Sequence, residues 1–349
     1  MAFRATLGHP GVLAALAAAL LFGAATPLAK ALLETVNPWL LAGLLYLGSG
    51  LGLTLYRLAI RAPSISLAPN QCTWFAGAIL AGGIVGPVLL MFGLTGASAA
   101  EASLLLNAEG VFTALLAWFA FKENFDRRIA LGMAAIVAGT LVLSWPRDPS
   151  LAATWPSLAI LGACLAWGID NNLTRKVSLT DASWIASIKG WVSGSVNLVL
   201  AFAFGAEMPM LGAIGAALLL GLLSYGISLM LFVVGLRHLG TARTGAYFSV
   251  APFFGAMLAL LMGAPPTLSL LLAGVLMAVG VWLHLSEDHS HSHTHERIEH
   301  HHAHAHDEHH AHVHDEVTPN GGRHSHLHVH EPISHAHPHF PDEHHRHRH

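Results

Sequence analysis

The chain has 349 residues, of which 54% are hydrophobic and only 11% are charged, and its formal net charge is −3. An ordinary soluble domain has about 25% charged residues, so this composition excludes that class and indicates a protein with several membrane spans. Two cysteines are too few for a disulfide framework or a zinc finger. The sequence contains no Walker A motif, so we do not expect an ATP-driven pump.

The net charge hides two different kinds of polymer. Residues 1–285 carry 13 Lys and Arg against 9 Asp and Glu, whereas residues 286–349 carry 4 against 11. The second segment also holds 24 of the 27 histidines. It has almost no large apolar side chains, so burial cannot offset the entropy of the chain. We therefore expect residues 286–349 to form a disordered tail.

Apolar segments separated by turn signals predict ten membrane spans. Each is close to the ~20 residues that cross the hydrocarbon core of a bilayer. The spans are placed at residues 10–32, 38–60, 71–94, 97–121, 127–145, 154–175, 182–204, 212–236, 241–263 and 267–285. The expected fold is therefore an all-α integral membrane protein in contact with the lipid bilayer.

Cationic residues orient these spans. If the N-terminus is cytoplasmic, nine Lys and Arg fall in inner loops, and only Lys30 and Arg147 fall in outer loops. That distribution satisfies the positive-inside rule. An even number of spans returns the chain to the inside, so we expect a multi-pass inner-membrane protein with both termini in the cytoplasm.

Short similarities recur along the chain at shifts of 145 and 142 residues. The matching pairs are Phe22-Gly23 with Trp167-Gly168 and Gly93-Leu94 with Gly235-Leu236. Each half then contains five spans, and an odd number inverts the second half relative to the first. We predict two inverted repeats, residues 1–146 and 147–285, followed by the tail. Inverted repeats place a substrate site near the bilayer midplane.

Polar side chains inside the apolar spans mark the candidate site. Span 4 contains Glu101, Asn107 and Glu109, with Glu109 at its midpoint. An ionisable side chain there is costly unless it faces protein or water, so it is a functional candidate by default. The alternative is a pair of carboxyls neutralised by packing partners. On one continuous helix the two glutamates share a face about 12 Å apart, and Asn107 is turned away from it.

Spans 6 and 7 add further polar residues. Asp170, Asn171 and Asn172 are adjacent, so they cannot all face one direction on a helix. Either the helix is locally opened, or two of the three bond to neighbouring spans. A helix–helix hydrogen-bond cluster and a cavity lining remain equal alternatives. Lys189 is interpreted as snorkelling to the inner interface, with a place in the site as the alternative. The predicted solute or coupling-ion residues are Glu101, Asn107, Glu109, Asp170, Asn171 and Lys189.

The segments FGAATPLAK (22–30), GPVLLMFGL (86–94) and WGIDNNLTRK (167–176), together with residues 101–123, resemble the drug/metabolite transporter superfamily in its EamA-domain branch. The resemblance extends over residues 10–285. It implies a secondary carrier, not an enzyme, that works by alternating access, usually exports small metabolites and requires no cofactor. The second half departs from the pattern, because Pro265 aligns with Glu123.

Histidine clusters in the tail predict metal binding. Neutral imidazole suits Zn, Ni, Co and Cu(II), and its pKa near 6.5 leaves most of these side chains available at cytoplasmic pH. The alternatives are low-complexity drift and a pH-dependent polyelectrolyte. The predicted ligands are His289, His291, His293, His295, His300, His301, His302, His304, His306, His324, His326, His328 and His330.

The tail leaves two further functions open beside small-solute transport. One is a divalent-cation transporter whose tail is a loading or sensing segment. The other is a metal buffer or sensor anchored to the membrane. We expect a small-molecule solute as partner and no nucleic acid, and we leave a homodimer open.

Overall fold

The computed structural model describes residues 9–63, 65, 67–120, 127–144, 151–178, 180–285, 290–294, 298–304, 324–330 and 334–338. The chain divides into two units, Met1–Glu287 and Asp288–His349. The described part of the first unit contains helices and no strand, whereas the described part of the second contains strands only.

The first half of the helical unit is built mostly from α-helices. They are α1 (Pro10–Gly23), α2 (Ala25–Leu32), α3 (Pro38–Ala59), α4 (Pro69–Ala78), α5 (Gly86–Gly96), α6 (Ala99–Leu105), α7 (Ala108–Phe119) and α8 (Arg127–Ser144). A π-helical turn, π1 (Ile79–Val85), joins α4 to α5. The start of α3 follows from local chemistry, because the Asn37 side chain accepts a hydrogen bond from the Trp39 N–H and Pro38 occupies the first helical position.

The second half is built in the same way. Its helices are α9 (Leu151–Arg175), α10 (Ala182–Ala203), α11 (Leu211–Gly221), α12 (Ser228–Phe248), α13 (Ala251–Leu261) and α14 (Leu268–Leu285). A second π-helical turn, π2 (Leu222–Ile227), joins α11 to α12. Asp181 caps α10 by accepting a hydrogen bond from the Trp184 N–H at 2.8 Å.

Six helical segments of the described chain are long and apolar enough to cross a membrane. They are Pro10–Leu32, Pro38–Ala59, Gln71–Gly96, Ala99–Phe119, Ala182–Ala203 and Leu211–Leu239. Three shorter helices, Ala130–Leu143, Ala251–Leu261 and Leu268–Leu283, are also apolar. The expected helical fold is thereby confirmed for the described part of the first unit, and these helices are long and apolar enough for a membrane protein. The arrangement of ten spans in two inverted repeats stays a prediction.

Span 4 consists of two helices and not one. α6 ends at Leu105 and α7 begins at Ala108, with a turn at Leu106 and Asn107. The Asn107 side chain donates to the Leu104 carbonyl at 3.1 Å, which competes with the helical backbone hydrogen bonds. The prediction that Glu101 and Glu109 share one continuous helical face is therefore wrong. Glu109 lies instead in the first turn of α7.

Glycines bring α3 and α10 into close contact. A Cβ on Gly190 would overlap the backbone nitrogen of Gly50, and a Cβ on Gly194 would lie 2.6 Å from the backbone nitrogen of Leu47. Small residues at such crossings let helix backbones approach closely inside a membrane. The crossing positions Lys189, which precedes Gly190, in the interior of the bundle.

The tail unit contains four short strands. β1 (Ser290–Thr294) pairs antiparallel with β4 (Ser334–Pro338), and β2 (Ile298–His304) pairs antiparallel with β3 (His324–His330). The predicted disorder is not confirmed for these four segments. Histidine alternates with other residues along much of them, which matches the two-residue period of a strand, and ladder hydrogen bonds satisfy the backbone without an apolar core.

We expect Gly190→Ala to lower the stability of the protein by about 1–3 kcal/mol, because the added Cβ has no space beside Gly50. The measurement is the melting temperature of the purified protein in detergent. Gly215→Ala in α11 is the matched control, because a Cβ there meets nothing within 4 Å. If Gly190→Ala melts at the wild-type temperature, the close crossing of α3 and α10 is incorrect.

Candidate functional site

A buried ion pair joins α9 to α10. The Lys189 ammonium donates to both carboxylate oxygens of Asp170, at 2.6 and 2.7 Å, and the two side chains are only 1% and 7% exposed. The Thr174 hydroxyl donates to the same carboxylate at 2.7 Å. The interpretation of Lys189 as snorkelling to the inner interface is therefore wrong. A nearby carboxylate offers the ammonium a stronger partner than the distant interface does.

The π1 turn makes room for this pair. A Cβ on Gly82 would overlap the Asp170 carboxylate, so glycine is required at this position. A π-helical turn also leaves backbone carbonyls without their usual helical partners. Here the Gly82 carbonyl accepts hydrogen bonds from the Tyr46 hydroxyl at 2.6 Å and from the Trp167 indole at 2.9 Å. The Asn197 amide donates to the Gly83 carbonyl at 3.1 Å.

The three adjacent polar residues of span 6 all bond to neighbouring helices. Asp170 binds Lys189, as described above. Asn171 donates to the Glu109 carboxylate at 2.9 Å and to the Thr113 hydroxyl at 3.2 Å. Asn172 donates to the Thr113 carbonyl at 3.0 Å. α9 is an unbroken helix through these positions, so the alternative of a locally opened helix is wrong.

Glu109 is buried, with 9% of its surface exposed. Its Oε1 atom accepts the hydrogen bond from Asn171, and no hydrogen bond from the described chain reaches Oε2. No Lys, Arg or His of the described chain forms an ion pair with it. Its position in the first turn of α7 places the carboxylate near the positive end of the helix dipole. Glu109 is therefore an acidic group held in place without a cationic partner.

A cavity of about 50 Å³ opens beside Glu109. Its walls are mainly aromatic, with a few polar groups. The lining residues are Phe22, Tyr46, Glu109, Trp167, Asp170, Asn171, Ser224, Tyr225, Ser228, Leu229, Phe232 and Phe248. Aromatic rings contact one another around it, with centroids 5.5 Å apart for Phe22 and Trp167 and 4.9 Å apart for Phe232 and Phe248. Apolar walls with a few fixed polar groups are typical of small-molecule sites.

A second cavity, of about 20 Å³, shares Phe22, Glu109, Asn171, Phe232 and Phe248 with the first. It is also lined by Asn107, which was predicted to point away from the helix face that carries Glu101 and Glu109. Two buried polar atoms of these linings, Tyr225 Oη and Asn107 Oδ1, have no hydrogen-bond partner within the described chain. Buried polar atoms normally have a partner, so these two are unsatisfied within the described chain.

The structure separates Glu101 from the other predicted residues. Glu101 lies in the first turn of α6, where its carboxylate accepts a hydrogen bond from the Ser98 hydroxyl at 2.9 Å and its N–H donates to the same hydroxyl at 3.2 Å. This reciprocal arrangement caps the helix. Glu101 is not among the residues that line either cavity. The cavities instead bring together Glu109, Asp170, Asn171 and Asn107.

Sequence reasoning missed the aromatic walls of the cavity. Phe22 and Trp167 appear in the repeat alignment only as matching positions, and Tyr225 and Phe248 lie in apolar segments that give no special signal. The hydrogen bonds of Tyr46 and Trp167 to a π-turn carbonyl are also invisible in a sequence. The one available signal is the position of Trp167 three residues before Asp170.

A second ion pair lies where α3 ends and α10 begins. Arg57 Nη1 donates to Asp181 at 2.6 Å and to the Ser183 hydroxyl at 2.9 Å. Burial raises the pKa of Asp181, but the hydrogen bonds from Ser183 and Trp184 and the charge of Arg57 outweigh it, so the pKa lies below its usual value. The Asp181 side chain is 39% exposed, so this pair is in contact with solvent, unlike that of Lys189.

The predicted tail ligands are only partly described. In the backbone register His300 faces His328, His302 faces His326 and His304 faces His324. His291 and His293 lie in β1, His301 in β2 and His330 in β3. His289, His295 and His306 lie outside the described residues. Among the described helices of the first unit, no group of three or more His, Cys, Asp or Glu is placed to hold a metal ion.

Comparisons with known proteins found one matching family and two similar transporters. The sequence profile of the EamA-like transporter family matches residues 9–145 and 154–286. Over 293 residues the chain is 26% identical to an uncharacterized transporter of Methanothermobacter thermautotrophicus, covering 78% of this chain and 85% of that protein. Over 209 residues it is 22% identical to the uncharacterized transporter YyaM of Bacillus subtilis, covering 57% and 68%.

A solved structure described as "Crystal structure of protein" has a TM-score of 0.65 to this chain at 20% identity. It covers 79% of this chain and 98% of its own length. The two proteins therefore share a fold.

Asp170→Asn leaves the Lys189 ammonium buried without a counter-charge, so we expect a stability loss of about 3–5 kcal/mol. The measurement is the free energy of unfolding in detergent. The double variant Asp170→Asn/Lys189→Met removes both charges and should be more stable than Asp170→Asn alone. Asp181→Asn, at the solvent-exposed pair, should cost less than Asp170→Asn. The single variant Lys189→Met completes the comparison. If the stability losses of the two single variants add up to that of the double variant, the two charges do not depend on each other.

Proposed function

The chain belongs to the EamA-like transporter family, and on that premise we propose that it is an alternating-access secondary transporter that exports a small organic solute across the inner membrane. The family and the long apolar helices make it an integral, multi-pass membrane protein. The observation that carries the proposal is the aromatic cavity beside Glu109. A carrier needs such a site inside the bundle, because the solute must be bound away from both membrane surfaces.

Two irregularities repeat along the chain and support a two-repeat architecture. π1 begins at Ile79 and π2 at Leu222, which is 143 residues later. The turn that contains Asn107 in span 4 has a counterpart 142 residues later at Ser249, between α12 and α13. The family profile also matches the chain in two segments. These observations support two five-span repeats. We propose that the repeats are inverted relative to each other and, from the distribution of Lys and Arg, that both termini lie in the cytoplasm.

Glu109 is the proposed coupling residue. Asp170 has both oxygens occupied by Lys189, so its charge is already balanced. Glu109 has no cationic partner in the described chain and borders both cavities. A carboxylate in that position can exchange a proton for a solute, because either ligand satisfies the same oxygen atoms. We therefore propose that solute efflux is coupled to proton movement at Glu109.

Divalent-metal transport is less well supported. In the first cavity the charged lining groups are Glu109 and Asp170, and the lining contains neither His nor Cys. Asp170 is already bonded to Lys189 and cannot also hold a metal ion without breaking that pair. We propose that the histidine-rich tail binds divalent metal ions as a separate cytoplasmic segment. Its metal binding is then not part of the transport path.

Glu109→Gln should abolish transport without changing the amount of protein in the membrane, because the amide cannot exchange a proton. The measurement uses proteoliposomes loaded with a mixture of amino acids, amines and organic acids, whose efflux is followed by mass spectrometry with and without a pH gradient. Glu34→Gln, an exposed carboxylate at the end of α2, is the control and should transport normally. Efflux by Glu109→Gln at the wild-type rate would contradict the role of Glu109 as the coupling residue.

Deletion of residues 286–349 should remove Zn²⁺ and Ni²⁺ binding by the purified protein and leave solute efflux unchanged, because the imidazoles lie in the tail. Binding is measured by equilibrium dialysis and efflux in the same proteoliposomes. A truncated protein that still binds these ions would contradict the tail assignment. If the full chain moves Zn²⁺ across vesicles and the truncated chain does not, the tail acts in transport.

A further inference from the structure

The geometry points to an organic cation, a protonated amine attached to an apolar or aromatic body, as the class of solute that binds in the cavity beside Glu109. This inference rests on the proposed function and names its substrate class. It follows from the charge balance of the lining, from the free hydrogen-bonding atoms, and from the aromatic walls.

The charge balance of the site leaves one negative group uncompensated. Two carboxylates line the first cavity, Glu109 and Asp170. Lys189 binds both oxygens of Asp170, so that pair is neutral as a unit. Glu109 forms no ion pair in the described chain. A buried carboxylate is stable as an ion only when it is paired, and without a cation it holds a proton instead, so a cationic ligand complements this lining and an anionic ligand does not.

Hydrogen-bonding atoms are available for an ammonium group. The Asn171 amide donates a hydrogen bond to Glu109 Oε1, whereas Oε2 accepts none from the described chain. Tyr225 lines the same cavity, and its buried hydroxyl has no partner in the described chain. An ammonium group donates up to three hydrogen bonds. Both oxygens can accept one, and each would gain a partner that it lacks.

The walls fit the rest of such a molecule. Phe22 has ring contacts with Trp167, Tyr225 and Phe248, at centroid distances of 5.5, 5.9 and 5.3 Å. Aromatic faces attract cations through their quadrupole and also bury apolar groups. The cavity lining therefore suits a ligand that has one positive charge and one apolar part.

The test compares three ligands of similar size that differ in charge. Phenethylamine is cationic at pH 7, 2-phenylethanol is neutral, and phenylacetate is anionic. Each is titrated into the purified full-length protein in detergent by isothermal calorimetry. We expect the amine to bind about tenfold or more tightly than phenylacetate, because hydrogen bonds to a charged group are worth about 1.5–3 kcal/mol.

Two variants test the contributions of the Glu109 carboxylate and the Tyr225 hydroxyl to amine binding separately. Glu109→Gln should weaken amine binding about tenfold or more and leave 2-phenylethanol binding nearly unchanged. Tyr225→Phe should weaken amine binding by a smaller factor, about threefold, because it removes one neutral hydrogen bond. Glu207→Gln, an exposed carboxylate, is the control and should bind the amine like wild type. Melting temperatures show whether each variant is folded.

Tighter binding of phenylacetate than of phenethylamine overturns the inference, and so does unchanged amine binding in a folded Glu109→Gln variant. Efflux of neutral or anionic solutes from proteoliposomes, with no amine binding, rejects the cation class and leaves the transporter proposal standing. Amine binding that depends on Glu109, with no efflux of any solute, upholds the cation site and rejects the transporter proposal.

Discussion

Asp170 and Lys189 are opposite charges buried together inside an apolar bundle, and neither could remain there alone. Removing one partner of such a pair leaves an uncompensated charge in a medium that solvates it poorly. The packing around the pair serves this requirement. Gly82 leaves space for the carboxylate, and Gly190 lets α10 approach α3 closely enough to carry the lysine into the interior. Within the π1 turn, the Gly82 carbonyl accepts hydrogen bonds from both Tyr46 and Trp167.

Because of this pair, the two carboxylates that line the cavity have different roles. Asp170 is bonded on both oxygens and acts as a structural anchor between α9 and α10. Glu109 is held by one amide, accepts no hydrogen bond from the described chain at its second oxygen, and lines the cavity with aromatic walls. Because one charge is neutralised and the other is not, the same cavity is both stably folded and prepared for a ligand. This division supports a transporter whose central site accepts a cationic group.

Part of this site could be predicted from the sequence. Glu109, Asp170 and Asn171 stand out because polar residues in apolar spans are costly, and the cavities bring all three together. The pairing of Lys189 could not be predicted, because its partner lies on another helix and a lysine near a span end can also reach the interface. The break at Asn107 was missed because no proline or adjacent glycine marks it. Helix content follows from composition, whereas π turns and helix crossings depend on contacts between distant segments.

The most direct measurement is a structure of the full chain with phenethylamine bound. Our account predicts the ammonium nitrogen within ~3 Å of a Glu109 carboxylate oxygen, the ring against Phe22 and Trp167, and the Asp170–Lys189 pair intact. An amine bound outside this cavity would contradict it, and so would an ammonium that displaces Lys189 from Asp170.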